Sequence, residues 1–227
     1  LKKRTKKLLP FGLSSLAIEY ATMQKSVASF LQKGRPFLSA ALLATLVTPA
    51  LAGPAPRLVP DRDVTIDYTV RPDGRPAVNV EVAVAAGGRL LHITSQDLPT
   101  TILVNRDTET ASILLPLLRV YATIRIGKYD PERTILHDAT FSRVGDRTIN
   151  GRHCTDWRAV SHDGQAAACI TPDGVILRGE ATSDRKGELG RVEARRIVYG
   201  PLSSEMFQVP PHFQKSPFRL DPNGLPQ

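Results

Sequence analysis

Val64-Thr65-Ile66-Asp67-Tyr68-Thr69-Val70-Arg71 and Val78-Asn79-Val80-Glu81-Val82-Ala83-Val84 decide the fold, because apolar and polar residues alternate through both. A period of two over that length is the mark of a strand with one face buried. Between them Asp73-Gly74 supplies the positive φ of a tight hairpin. The same punctuation recurs at Gly87-Gly88, at Asp146 with Asn150-Gly151, and at Asp163-Gly164, Asp173-Gly174 and Lys186-Gly187. Strands are therefore expected near residues 62–71, 77–86, 88–96, 100–105, 109–115, 134–147, 152–161, 165–171, 174–184 and 189–200.

That rhythm predicts a mainly β domain, an antiparallel meander forming a curved, half-barrel-like sheet with one or two short helices. The section from Leu117 to Ile126 is two-sided. Leu118, Val120, Ala122, Ile124 and Ile126 alternate as a strand does, whereas Leu114, Leu117, Leu118, Tyr121 and Arg125 would share a helix face. With Pro116 suited to a first turn, a short helix is expected there. Pro201 ends the last long strand, Ser203 and Ser204 can cap one helical turn through Met206, and Phe207 with Val209 can close the core. Residues 214–227, rich in proline, have little to bury and read as a flexible tail.

Upstream, residues 1–52 read as an extension followed by a cleavable signal peptide. The uncharged run Phe37 to Val47 is too short for a stable membrane anchor and follows Lys25, Lys33 and Arg35. Ala50 and Ala52 are small residues before Gly53, so cleavage is expected after Ala52, with Met23 as the expected start. A proline-rich linker, 53–61, then leads into a β domain over 62–213. The mature protein is expected to be periplasmic or secreted, with no integral membrane segment.

The leader also explains the charge. The chain has 30 basic and 22 acidic residues, net +8. Residues 1–52 hold eight of the bases and Glu19 as their one acid, so the remainder carries 22 basic and 21 acidic groups. The electrostatic reason to expect a nucleic acid partner leaves with the leader. The 175 residues that follow residue 52 are enough for one domain.

Cys154 and Cys169 flank the turn between Ser161 and Gly164, opposite each other or one diagonal step apart. In an oxidising compartment they are expected to form a disulfide. A redox role is disfavoured because Cys-x-x-Cys spacing is absent. Trp157 is expected to be a core anchor beside that bridge.

Chemistry-bearing patterns are missing. His92, His137, His153, His162 and His212 are dispersed, without the spacing of a zinc site. Asp61, Asp63 and Asp67 lack the loop that would make them a calcium site, and Asp63 and Asp67 share the polar face of a strand. There is no nucleophile elbow, phosphate-binding loop or His-Glu-x-x-His. No catalytic, cofactor-binding or metal residue is assigned, and no cofactor is expected.

Gly151-x-x-Cys154-x-x-Trp157, Cys169-Ile170-Thr171-x-Asp173-Gly174-Val175 and Phe207-x-Val209-Pro210-x-x-Phe213, in this strand order, resemble an uncharacterised family of exported bacterial domains. Those domains are similar to the LolA/LolB lipoprotein-localisation fold, an open half-barrel of antiparallel strands with helices against its concave side. The resemblance covers most of residues 62–213. It implies an apolar concavity able to hold acyl chains, and no binding residue of the carriers transfers to a position here.

From the residues themselves, the apolar strand faces nominate Val64, Ile66, Tyr68, Val78, Val80, Val82, Leu91 and Ile93 as a ligand lining; the same residues would serve as an ordinary core. The expected function is a non-enzymatic exported binding protein holding a lipid or lipidated partner. The alternatives are an envelope interaction or structural protein without a small ligand, and a hydrolase with an unrecognised site.

Overall fold

The computed structural model describes residues 55–95, 97, 99–126, 139–161, 164–183 and 187–216. The leader with its cleavage site, the first part of the strand expected at 134–147, His137, His162, the Asp163 and Lys186 turn positions and the tail beyond Ser216 lie outside them.

Six strands follow one another in the first half: β1 (Val64–Pro72), β2 (Val78–Ala85), β3 (Leu90–Ser95), β4 (Thr101–Asn105), β5 (Thr110–Leu115) and β6 (Val120–Arg125). Five more form the second: β7 (Thr140–Ile149), β8 (Arg152–Ser161), β9 (Gly164–Ile170), β10 (Ile176–Ser183) and β11 (Gly187–Tyr199). β12 is the two-residue Gln214–Lys215. All twelve lie in one sheet, in the order β12-β6-β5-β4-β3-β2-β1-β11-β10-β9-β8-β7. The antiparallel meander is present in two runs, joined where β1 pairs with β11, Val64 opposite Tyr199 and Ile66 opposite Ile197. β12 alone is parallel to its neighbour, β6. The order does not close: β12 and β7 are its ends.

The registers explain why the alternating residues make a core. Ile66 lies opposite Val82, Val82 opposite Ile93, Ile93 opposite Ile102 and Ile102 opposite Ile113, so one face is apolar across five strands. Two buried clusters result. The first gathers Val64, Ile66, Val84, Cys154, Cys169, Val175, Leu177 and Ala194, and so unites both halves. The second, Leu91, Ile93, Val104 and Ala111, belongs to the first half. Shifts of register between Ala181 and Thr182, between Ile176 and Arg178, and in β1 between Asp67 and Tyr68 bend the sheet.

The helix expected between Leu117 and Ile126 is a correction: Val120–Arg125 is β6. Ala122 faces Ile113 and Ile124 faces Ala111. Pro116 to Arg119 form a turn, with Leu118 N donating to Leu115 O at 3.0 Å and Arg119 N to Pro116 O at 3.2 Å. Leu117 and Leu118, which a helix would have buried, are 81% and 62% exposed. The period-two pattern wins because β5 supplies a hydrogen-bonding edge that an isolated two-turn helix lacks.

The short helical elements among the described residues are two 3-10 turns. Ala86–Gly88 follows β2. Ser204–Phe207 is capped by the Ser203 hydroxyl, which accepts from the Glu205 amide, as the serine pair anticipates. β11 stops at Tyr199, two residues before Pro201.

Candidate binding groove

Most of the expected lining is drawn into packing. Val64 and Ile66 are 0% and 2% exposed in the first cluster, and Leu91 and Ile93 sit in the second. Tyr68, Val80 and Val82 are partly buried against these clusters. Val78, at the outer end of β2, is half-buried.

The cysteines are joined, with their Cα atoms 5.4 Å apart. Cys169 is opposite Asp156, so Cys154 is one diagonal step away on the neighbouring strand. Both lie in the first cluster, where the bond pins β8 to β9 inside the core. Trp157 corrects its expectation as a core anchor. It is half-buried and absent from the fully buried set. Three residues from Cys154 along a period-two strand, it is on the opposite face.

The open space is elsewhere in the sheet. A groove of about 560 Å³ runs over β7–β10. Its lining includes residues two apart on each strand: Arg147 and Ile149 on β7, Asp156 and Arg158 on β8, Gln165, Ala167 and Cys169 on β9, Arg178, Glu180 and Thr182 on β10. Residues two apart share one face, so these side chains lie on a common side. The alternate residues Trp157, Ala166, Ala168, Gly179 and Ala181, with Val144, also border the groove, and the small Ala167 side chain makes a low floor between the taller walls of β8 and β10. Ile149 and Cys169 belong both to the groove and to the packing of the first cluster, so the groove continues the core outward.

Its charges are unevenly matched. Arg147 Nε is 2.5 Å from Asp156 Oδ2, and Arg191 Nε is 3.7 Å from Glu180 Oε2. Arg158 donates to Gln165 Oε1 at 2.6 Å, a contact that orients the guanidinium without neutralising it. Arg178 has no ion pair among the described residues. Both arginines are exposed.

A polar cluster lies where the segment before β1 and the end of β11 meet the β9–β10 turn. Arg62 Nε donates to Asp173 Oδ2 at 3.0 Å, and its guanidinium carbon is 4.0 Å from the centre of the Tyr199 ring. Burial pushes the Asp173 carboxyl up, but hydrogen bonds from Thr171, Tyr199 and Arg62 outweigh it and hold the group below its ordinary value. Burial, then the Asp173 hydrogen bond and charge, push the Tyr199 phenol up. The cluster ties the segment before β1 to the β9–β10 turn, where Asp61 N donates to Asp173 O at 3.2 Å. It is a structural clasp.

Among the described residues, no three His, Cys, Asp or Glu side chains are placed to hold a metal. No helix there is long and apolar enough to cross a membrane. His92, opposite Ala83 and Leu103, has a buried Nδ1 without a hydrogen-bond partner.

The groove residues escaped the sequence reading, which followed apolar alternation and passed over charged alternation. The signal was present: Asp156-x-Arg158 and Arg178-x-Glu180 flank the triple alanine Ala166-Ala167-Ala168 on strands already expected.

No family model matches the chain, and no curated protein matches it. Among solved structures it is similar to an uncharacterised conserved protein from Thermus thermophilus, at 10% identity with a TM-score of 0.53, covering 69% of this chain and 90% of that one. It is also similar to the Pseudomonas aeruginosa MucA/MucB complex structure, at 14% identity and TM-score 0.49, covering 67% of this chain and 57% of that chain. A LolA superfamily protein, NE2245 from Nitrosomonas europaea, follows at 8% identity and TM-score 0.35, covering 66% and 91%. At 10% identity the likeness to the Thermus thermophilus protein is one of fold.

Proposed function

We propose that this chain is an exported, non-enzymatic binding protein of the cell envelope that engages a protein partner on the open face of β7–β10. The observation that carries the reading is the groove, low at Ala167 and walled by charged side chains of β8 and β10. The disulfide fits an oxidising compartment, and the signal-peptide pattern before Gly53 supports export. The test is a native pull-down from envelope extract with the oxidised chain from Gly53 onward. A stable partner lost on filling the groove by Ala167→Trp supports the reading; a partner retained unchanged by that variant, or none at all, defeats it.

A lipid or lipidated partner is a second reading. The half-buried Val80, Val82, Ile102, Ile124 and Ile126 packed around the second cluster support it, as an apolar strip that an acyl chain could join. Titration with a fluorescent fatty acid decides: saturable binding weakened by Val82→Asp favours it, and no binding removes it.

A further inference from the structure

Resting on the protein-partner reading above, we infer that the groove over β7–β10 takes an extended acidic peptide segment, whose carboxylates bind Arg158 and Arg178. Every acid lining the groove already has a cation beside it, Asp156 with Arg147 and Glu180 with Arg191. Arg158 and Arg178 have no ion pair among the described residues; Glu193, opposite Arg178 on β11, pairs with Arg195. Gln165 holds Arg158 in place, and an incoming anion would find the guanidinium groups of Arg158 and Arg178 with donors to spare.

The register sets the geometry. Arg158 lies opposite Ala167 on one side of β9, and Arg178 opposite Cys169 on the other. Their levels on β9 therefore differ by two residues, about 7 Å along the strand. In an extended chain the side chains at positions i and i+2 point the same way and are separated by the same distance. A peptide lying along β9 with acids at i and i+2 thus offers one carboxylate to each arginine. The walls, β8 and β10, are two strand spacings apart, about 10 Å, and Ala167 between them leaves room for a single backbone. A lone carboxylate engages one arginine only, so paired acids are selected.

The experiment uses the oxidised chain from Gly53 and a fluorescein-labelled peptide of alternating Glu and Val, read by fluorescence anisotropy. Binding is expected, weakening as salt is raised. Arg158→Gln and Arg178→Gln should each raise Kd about tenfold, the loss of one charge-assisted contact. A Gln-Val peptide should bind no better than the double variant binds the Glu-Val peptide. Both arginines are exposed, so thermal melts should match the parent and exclude misfolding. No binding of the Glu-Val peptide, or binding indifferent to both substitutions, overturns the inference. If the double variant still retains an envelope partner that Ala167→Trp loses, the acidic specificity falls while the binding-protein reading stands.

Discussion

Arg62 lies over the face of Tyr199, 4.0 Å from guanidinium carbon to ring centre, while its Nε donates to Asp173 across 3.0 Å. One side chain so joins three parts of the molecule: the approach to β1, the end of β11 and the turn between β9 and β10. Arg62→Ala should lower the thermal midpoint and speed proteolysis around residues 55–62. A melting curve and a limited-digestion time course check both.

Asp173 gives this clasp a pH dependence. Its carboxyl is held below the ordinary 3.8, so its contribution is fully present above 3.8 and is lost as pH falls through the lower folded value. Tyr199 acts at the other end of the scale. Its folded value lies above 10.0, so its contribution is full below 10.0 and is lost as pH climbs through the folded value. Asp173→Asn should flatten the acid limb of a stability profile measured by urea unfolding. An unchanged acid limb would mean that other carboxyls govern it.

Reducing the Cys154–Cys169 bond, or replacing both residues with alanine, should cost about 3 kcal/mol, the chain-entropy value for a loop of this length. The sequence separation is 15, and both residues are buried in the first cluster. Urea unfolding with and without reductant measures the difference, which should vanish in the double alanine variant.

Gly174 has φ +95°, and a Cβ there would come within 2.4 Å of the Val59 carbonyl oxygen. Backbone on backbone cannot give way cheaply. Gly174→Ala should destabilise by about 1–3 kcal/mol, read as a lower urea midpoint. Gly74, with φ +66° and open space around it, should suffer less from the same change.

His92 should make the fold acid-sensitive near neutrality. Burial pushes its value below the ordinary 6.5, so the unfolded chain takes up the proton first and stability declines as pH falls below 6.5. Urea midpoints at pH 7.5 and 5.5 should converge in His92→Leu relative to the parent.

Strand existence was legible wherever one face was apolar and the other polar, as in Val64 to Val70. It failed at Leu117 to Ile126 because local spacing fits both periods there, and the deciding fact, a waiting edge on β5, is not local. That Cys154 and Cys169 lie opposite or one diagonal step apart followed from a symmetrical hairpin, and the register selects the diagonal. The position of Trp157 did not, because proximity in sequence was taken for proximity in space, although three residues along a strand reverse the face. The groove was hidden for another reason: its walls come from β8 and β10, whose alignment over Ala167 depends on register and on the bulge at Leu177.

The pairing of β1 with β11 carries one more consequence. Val64 finds Tyr199 across 135 positions of chain, whereas every other antiparallel pairing joins consecutive strands. Hairpins within each run can form while their strands are still emerging, but the seam must wait for nearly the whole domain to be made. Closing it costs the most loop entropy and completes the core that both halves share. Until the last long strand arrives, Val64, Ile66 and Val84 lack the partners that the second half supplies, and that interval is the greatest exposure to aggregation.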